Sequence, residues 1–125
     1  MVAGDDDPVW EAFVSLVLPL AAVQERRSRY ADKPALWFDG REIAHREAPG
    51  VIDLRITRSG WSEVGGSFRD DPGVSRDPRR RDWLELHLES AAQVAGLAPL
   101  ITAAVASNHR THQAGVCRRR ESDGR

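Results

Sequence analysis

The dipeptide Asp39-Gly40 sits between two strand-like runs, and Ala48-Pro49-Gly50 joins the second of them to a third. Asp-Gly between apolar-rich runs is the strongest short-range hairpin signal, because the favoured two-residue turn needs positive φ at both central positions. The runs Ala35 to Asp39, Glu42 to Arg46 and Val51 to Ile56 are therefore expected to form an antiparallel meander.

Helical signals flank this meander. Asp7-Pro8 makes a helix start, since the carboxylate can accept from free N–H groups of the first turn and proline there loses no bond. Trp10, Phe13, Val14 and Val17 follow at i, i+3, i+4 and i+7, which predicts a helix from Pro8 to about Leu18, stopped by Pro19. Beyond the meander, Thr57 or Ser59 can cap a short helix ending at Gly65-Gly66, and a loop with an edge hairpin follows. Leu84, Leu86 and Leu88 alternate with Trp83, Glu85 and His87, the pattern of a further strand. Ser90 with Gln93 reads as a capping box, and Val94, Leu97, Ala98, Ile101 and Val105 form a second helical stripe, with Pro99 kinking the helix or moving its start. The fold class expected is α+β: a two-layer sandwich with an antiparallel sheet of about four strands and an N-terminal and a C-terminal helix on one face.

At 125 residues, 41% of them hydrophobic, the chain suits one small domain. Residues 1–6 are expected to be a disordered N-terminus, 7–107 the folded domain, and 108–125 a disordered, arginine-rich tail. Eighteen basic against nineteen acidic residues leave a net charge of −1, so no global field draws the protein to nucleic acid or an anionic membrane. Lys33 is the sole lysine, an arginine bias expected of a GC-rich, bacterial coding sequence. The single cysteine, Cys117, forms no internal disulfide, and a cytoplasmic location is the expectation. The apolar run from Phe13 to Val23 follows Asp5, Asp6 and Asp7 rather than a basic segment and is broken by Pro19, so it reads neither as a signal peptide nor as a membrane span.

The segments SRYADKPALWFDGREIAH, VIDLRITR and RRDWLELHLESAAQVAGL together resemble the luciferase-family domain, a small domain carried by bacterial proteins of unknown role. The resemblance covers about Ser28 to Ala106. It implies a fold and no light emission, and no catalytic residues carry over with it. Many members have a second histidine two residues after the first, where this chain has Glu47. The order of elements is more distantly similar to the MmcQ/YjbR-type domains.

His45 is the first candidate for a functional group, with Arg41 and Glu47 beside it as a ligand-binding or catalytic set. Histidine titrates near neutral pH, yet a histidine in a small sheet is more often a paired, packed side chain. Strand parity places His45 on the same face as Ile43, toward the helices, and turns Asp53 outward. Asp53 would then reach His45 only through a bulge near Ala48-Pro49-Gly50, and Glu47 is the nearer partner.

The opposite sheet face collects Trp37, Asp53, Arg55, Trp83, Glu85 and His87. A self-association surface, and so a homo-oligomer, is the favoured explanation for two tryptophans there. Cover by arginine stems and a stacking platform for a planar ligand are the others. The run Arg76 to Asp82 reads as a solvated loop, with weak nucleic-acid binding through Arg79, Arg80, Arg81 and Trp83 as a lesser alternative. His109, His112 and Cys117 are too few for a structural zinc site in a loose tail, and no metal or cofactor is expected. No phosphate-binding glycine loop, nucleophile elbow or H-E-x-x-H motif is present, and Lys33 in a polar loop is a poor nucleophile. The sequence therefore leans toward a binding or interaction module rather than an enzyme.

Overall fold

Asp7 caps the first helix. In the structure, a computed structural model that describes residues 7–20, 22–28 and 32–123 with side chains as far as Arg110, Asp7 Oδ1 accepts from the N–H groups of Val9 (3.0 Å) and Trp10 (3.3 Å). Helix α1 spans Pro8–Val17 and ends in a 3₁₀ turn, Leu18–Leu20, at Pro19. The expected disordered N-terminus, 1–6, lies outside the described residues. Asp7 Oδ2 also accepts from Arg46 Nε, so the cap ties α1 to the sheet.

The sheet has six strands where about four were expected: β1 Val23–Arg27, β2 Pro34–Phe38, β3 Arg41–Ala48, β4 Val51–Arg55, β5 Val74–Ser75 and β6 Trp83–His87, in the order β1-β2-β3-β4-β6-β5. All neighbours are antiparallel. β1 has no apolar alternation because it is an edge strand, half of whose bonding groups need no partner, and its charged side chains discourage edge-to-edge pairing. β5 forms the opposite edge with two residues only. Asp39 (φ 51°) and Gly40 (φ 80°) make the β2–β3 turn, and Gly50 (φ 77°) completes the β3–β4 turn.

Helix α2, Arg58–Phe68, is capped by Thr57, whose Oγ1 accepts from the Gly60 N–H. It runs past the Gly65-Gly66 stop that the sequence suggested. The C-terminal stripe is two helices, α3 Ala91–Gly96 and α4 Ala98–Asp123, with Pro99 in the first turn of α4, where its missing N–H costs nothing. Ser90 occupies the N-cap of α3 without a side-chain bond; Gln93 reaches back to the Glu89 N–H instead. The backbone of α4 continues to Asp123 through the segment read as a disordered tail, since extending a formed helix is far easier than nucleating one.

One core joins the layers. Phe13 and Val17 of α1, Leu97 between α3 and α4, and Leu100, Ile101 and Val105 of α4 pack on Leu36, Ile43, Ile52, Leu54, Leu84 and Leu86 from the sheet. A buried polar latch closes one end: the Thr57 N–H donates to Ser107 Oγ, and Asn108 Nδ2 donates to the Arg55 carbonyl. No helix among the described residues is long and apolar enough to cross a membrane. With the helices on one side, the other side of the sheet is left for chemistry.

Candidate functional site

β3 is not a regular strand. Leu36 pairs with Ala44 while the next residue, Trp37, pairs with Glu42, which leaves Ile43 as an extra residue on β3. Ile43 and Ala44 are both buried in the core, so the alternation of faces resets between them. His45 therefore points away from the helices. This corrects the parity argument, which assumed a regular strand through Ile43. A second irregularity, between Arg46 and Ala48, leaves Glu47 unpaired.

The two bulges gather side chains that a flat strand would separate. His45 lies directly opposite Asp53 on β4 and Ala35 on β2, and Asp53 lies opposite Glu85 on β6. Glu42, three residues before His45, shares its face because of the Ile43 bulge: His45 Nδ1 is 3.2 Å from Glu42 Oε2. His45 Nε2 is 3.0 Å from Glu47 Oε2 and 3.0 Å from Asp53 Oδ2. Lys33 donates to Glu47 Oε1 (3.0 Å), and Arg80 Nη1 donates to Asp53 Oδ2 (3.2 Å). Glu42 and His45 are 6% exposed and Asp53 3%, so these three are as buried as much of the core, while Glu47 and Arg80 reach the surface.

Its electrostatics follow from donor counting. A neutral imidazole donates from one nitrogen and would present a lone pair to a carboxylate at the other; the imidazolium donates from both. The bond to Asp53 raises the pKa of His45 most, burial opposes it, and Glu47 with the charges of Asp53 and Glu42 add to the rise. Burial pushes the Asp53 carboxyl up, but the His45 bond and the Arg80 charge outweigh it and hold it below the ordinary carboxylate range. Glu47 is held low first by Lys33 and then by His45.

The run read as a solvated loop is a folded cover for this cluster. Asp77 accepts from the N–H groups of Arg79 and Arg80, the Trp83 N–H donates to the Arg80 carbonyl, and the Ile56 N–H donates to the Asp82 carbonyl. Arg76 lies 5.0 Å over the Trp61 ring and donates to the Arg81 carbonyl. Between this cover and the sheet is a cleft of about 570 Å³, lined by His45, Glu47 and Asp53 below and by the 79–83 segment above. The Trp83 ring lies 5.9 Å from the His45 ring on one side, and the Arg80 guanidinium lies 5.5 Å from its centre.

Of the predicted residues, His45, Glu47, Asp53 and Trp83 come together here. Arg41 does not: it opens β3 beside the Asp39-Gly40 turn, is exposed, and lines no part of the cleft. Arg80, read as part of a solvated loop, pairs with Asp53 instead. Trp37 is half-buried and donates its indole N–H to the Arg27 carbonyl. Arg55 lies 3.9 Å from Asp82, and His87 pairs with Glu85 at 2.6 Å; neither lines the cleft. Sequence reasoning missed Glu42 and Lys33. The adjacent apolar pair Ile43-Ala44 between charged neighbours was the available signal for a bulge, and with it for Glu42.

No family model, no curated protein and no solved structure matches this chain, so the resemblance to the luciferase-family domain rests on its quoted residues alone.

Proposed function

We propose that the domain binds a small anionic molecule in the cleft between the open sheet face and the 79–83 segment, with His45 as its chemical centre. The observation that carries this reading is a histidine held at both ring nitrogens by three carboxylates, in the wall of a cleft large enough for a metabolite-sized ligand. A residue needed only for packing requires one partner, and a buried charged cluster is costly to assemble, which is why such clusters concentrate at functional sites. Arg79 and Arg81 line the same cleft and pair with no carboxylate among the described side chains, which suits a carboxylate or phosphate on the ligand.

With its pKa raised, His45 can donate a proton from Nε2 to a bound group, while Glu42 at Nδ1 orients the ring. Trp83 has His45 on one side and Arg80 near its ring, which favours a cleft wall over a self-association surface. Arg76 and Arg80 are likewise engaged within the chain, which weakens the case for a nucleic-acid groove.

The test is a backbone amide titration of the isotope-labelled protein with inorganic phosphate, citrate and adenosine monophosphate. Shifts concentrated at His45, Glu47 and residues 79–83, and weakened at least tenfold by Arg79→Ser with Arg81→Ser, are the expected result. Saturable shifts elsewhere, or none with any probe, would overturn the reading.

A further inference from the structure

The geometry points to a divalent metal site of the first-row transition type at His45 Nε2, Glu47 Oε2 and Asp53 Oδ2. The three atoms come from two neighbouring strands and lie within 4.8 Å of one another. Both separations from Nε2 are 3.0 Å. Adjacent ligands of an octahedral ion with bonds of about 2.1 Å stand about 3.0 Å apart, whereas tetrahedral ligands stand about 3.4 Å apart. Both separations from Nε2 thus suit adjacent positions of an octahedral ion, and the cleft side is left for water or a ligand.

Three further observations favour an ion. His45 bonds Glu42 through Nδ1, the orientation by which a carboxylate behind the ring fixes a metal-ligating histidine and points Nε2 at the metal. Asp53 lines the cleft at 3% exposure, and its Oδ1 is buried with no hydrogen-bond partner, a costly state that bidentate ligation relieves. The donors are one imidazole and two carboxylates with no thiolate, which suits Mn²⁺, Fe²⁺ or Zn²⁺ better than Ca²⁺ or Cu⁺.

Lys33 pairs with Glu47 and Arg80 with Asp53, so both carboxylate ligands are already held in place by a cation. A divalent ion bound there, with Arg79 and Arg81 alongside, draws an anion into the open coordination positions. The inference deepens the reading of this cleft as an anion site by naming what holds the anion, but its test uses the metal alone.

Zn²⁺ affinity is measured by calorimetry in a non-coordinating buffer free of phosphate, and Mn²⁺ broadening of amide signals locates the ion. One ion per chain is expected, with broadening centred on residues 42–47, 53 and 83. Glu47→Gln, at an exposed side chain, is expected to weaken Zn²⁺ at least tenfold, and Asp53→Asn at least a hundredfold. His112→Gln with Cys117→Ser is expected to leave affinity unchanged. Absence of saturable binding, broadening centred on residues 109–117, or affinity that survives Glu47→Gln and Asp53→Asn but falls with the tail variant would each overturn the site. Phosphate shifts that persist in chelator while Zn²⁺ fails to bind would remove the metal and leave the anion cleft standing.

Discussion

At the scale of single residues, His45 and its carboxylates set the pH dependence of the metal-free protein. The folded pKa of His45 lies above its ordinary value near 6.5, so its contribution to stability is complete below about pH 6.5 and is lost as pH rises through the folded value. Asp53 and Glu47 are shifted down; they stabilise above about pH 4 and lose that contribution as pH falls through their folded values. Urea unfolding in chelator across pH 3 to 9 is expected to show a maximum between these limits, and His45→Gln is expected to flatten the alkaline decline. Asp7 offers a second check away from the cleft. Its carboxylate caps α1 and pairs with Arg46, so Asp7→Ala is expected to cost about 2 kcal/mol in urea unfolding at pH 7.

At the scale of elements, turns and bulges decide which residues meet. A Cβ on Gly50 would come within 2.5 Å of the Leu88 carbonyl oxygen at φ 77°, so Gly50→Ala is expected to destabilise by about 2 kcal/mol or more. Gly66, exposed in α2, has nothing within 4 Å of a Cβ, and Gly66→Ala is expected to stabilise by about 0.5 kcal/mol. Thermal unfolding of the pair tests both signs at once. The same distinction explains what the sequence made legible. Asp39-Gly40, Pro49-Gly50, the Asp7 cap and the Leu84-Leu86-Leu88 alternation encode their elements locally, and all were read. β1 was missed because an edge strand of charged residues lacks an apolar period, and β5, two residues with no period, was legible only as part of an edge hairpin. The His45 cluster was half legible. Glu47 sits at i+2 and was named, but the pairing with Asp53 and Glu42 depends on a bulge at Ile43, a tertiary choice that lets two adjacent apolar side chains enter one core. Arg80 reaches Asp53 through a folded turn on Asp77, which composition made look like solvated loop.

At the scale of the whole molecule, the architecture divides labour between two faces. The helices cover one side of the sheet and supply the apolar core, so the opposite side can carry a buried charged cluster without weakening the packing beneath it. The 76–82 segment, tethered through Trp61 and Ile56, roofs that side and turns a flat surface into a cleft. Arg79 and Arg81 stand at its exposed rim, where their attraction for an anion is screened by salt. Phosphate affinity is therefore expected to fall several-fold between about 20 mM and 200 mM ionic strength, while Arg79→Ser with Arg81→Ser is expected to remove most of that dependence.

The measurement that tests the account most directly is a long-range ¹⁵N–¹H correlation of the His45 imidazole across a pH series in chelator. The account predicts a ring that keeps protons on both nitrogens to a higher pH than a free imidazole, losing its proton above pH 6.5, and moving back toward that value in Asp53→Asn. A single neutral tautomer at pH 6.5, insensitive to Asp53→Asn, would contradict the carboxylate cage on which the cleft, its ligand and its metal all depend.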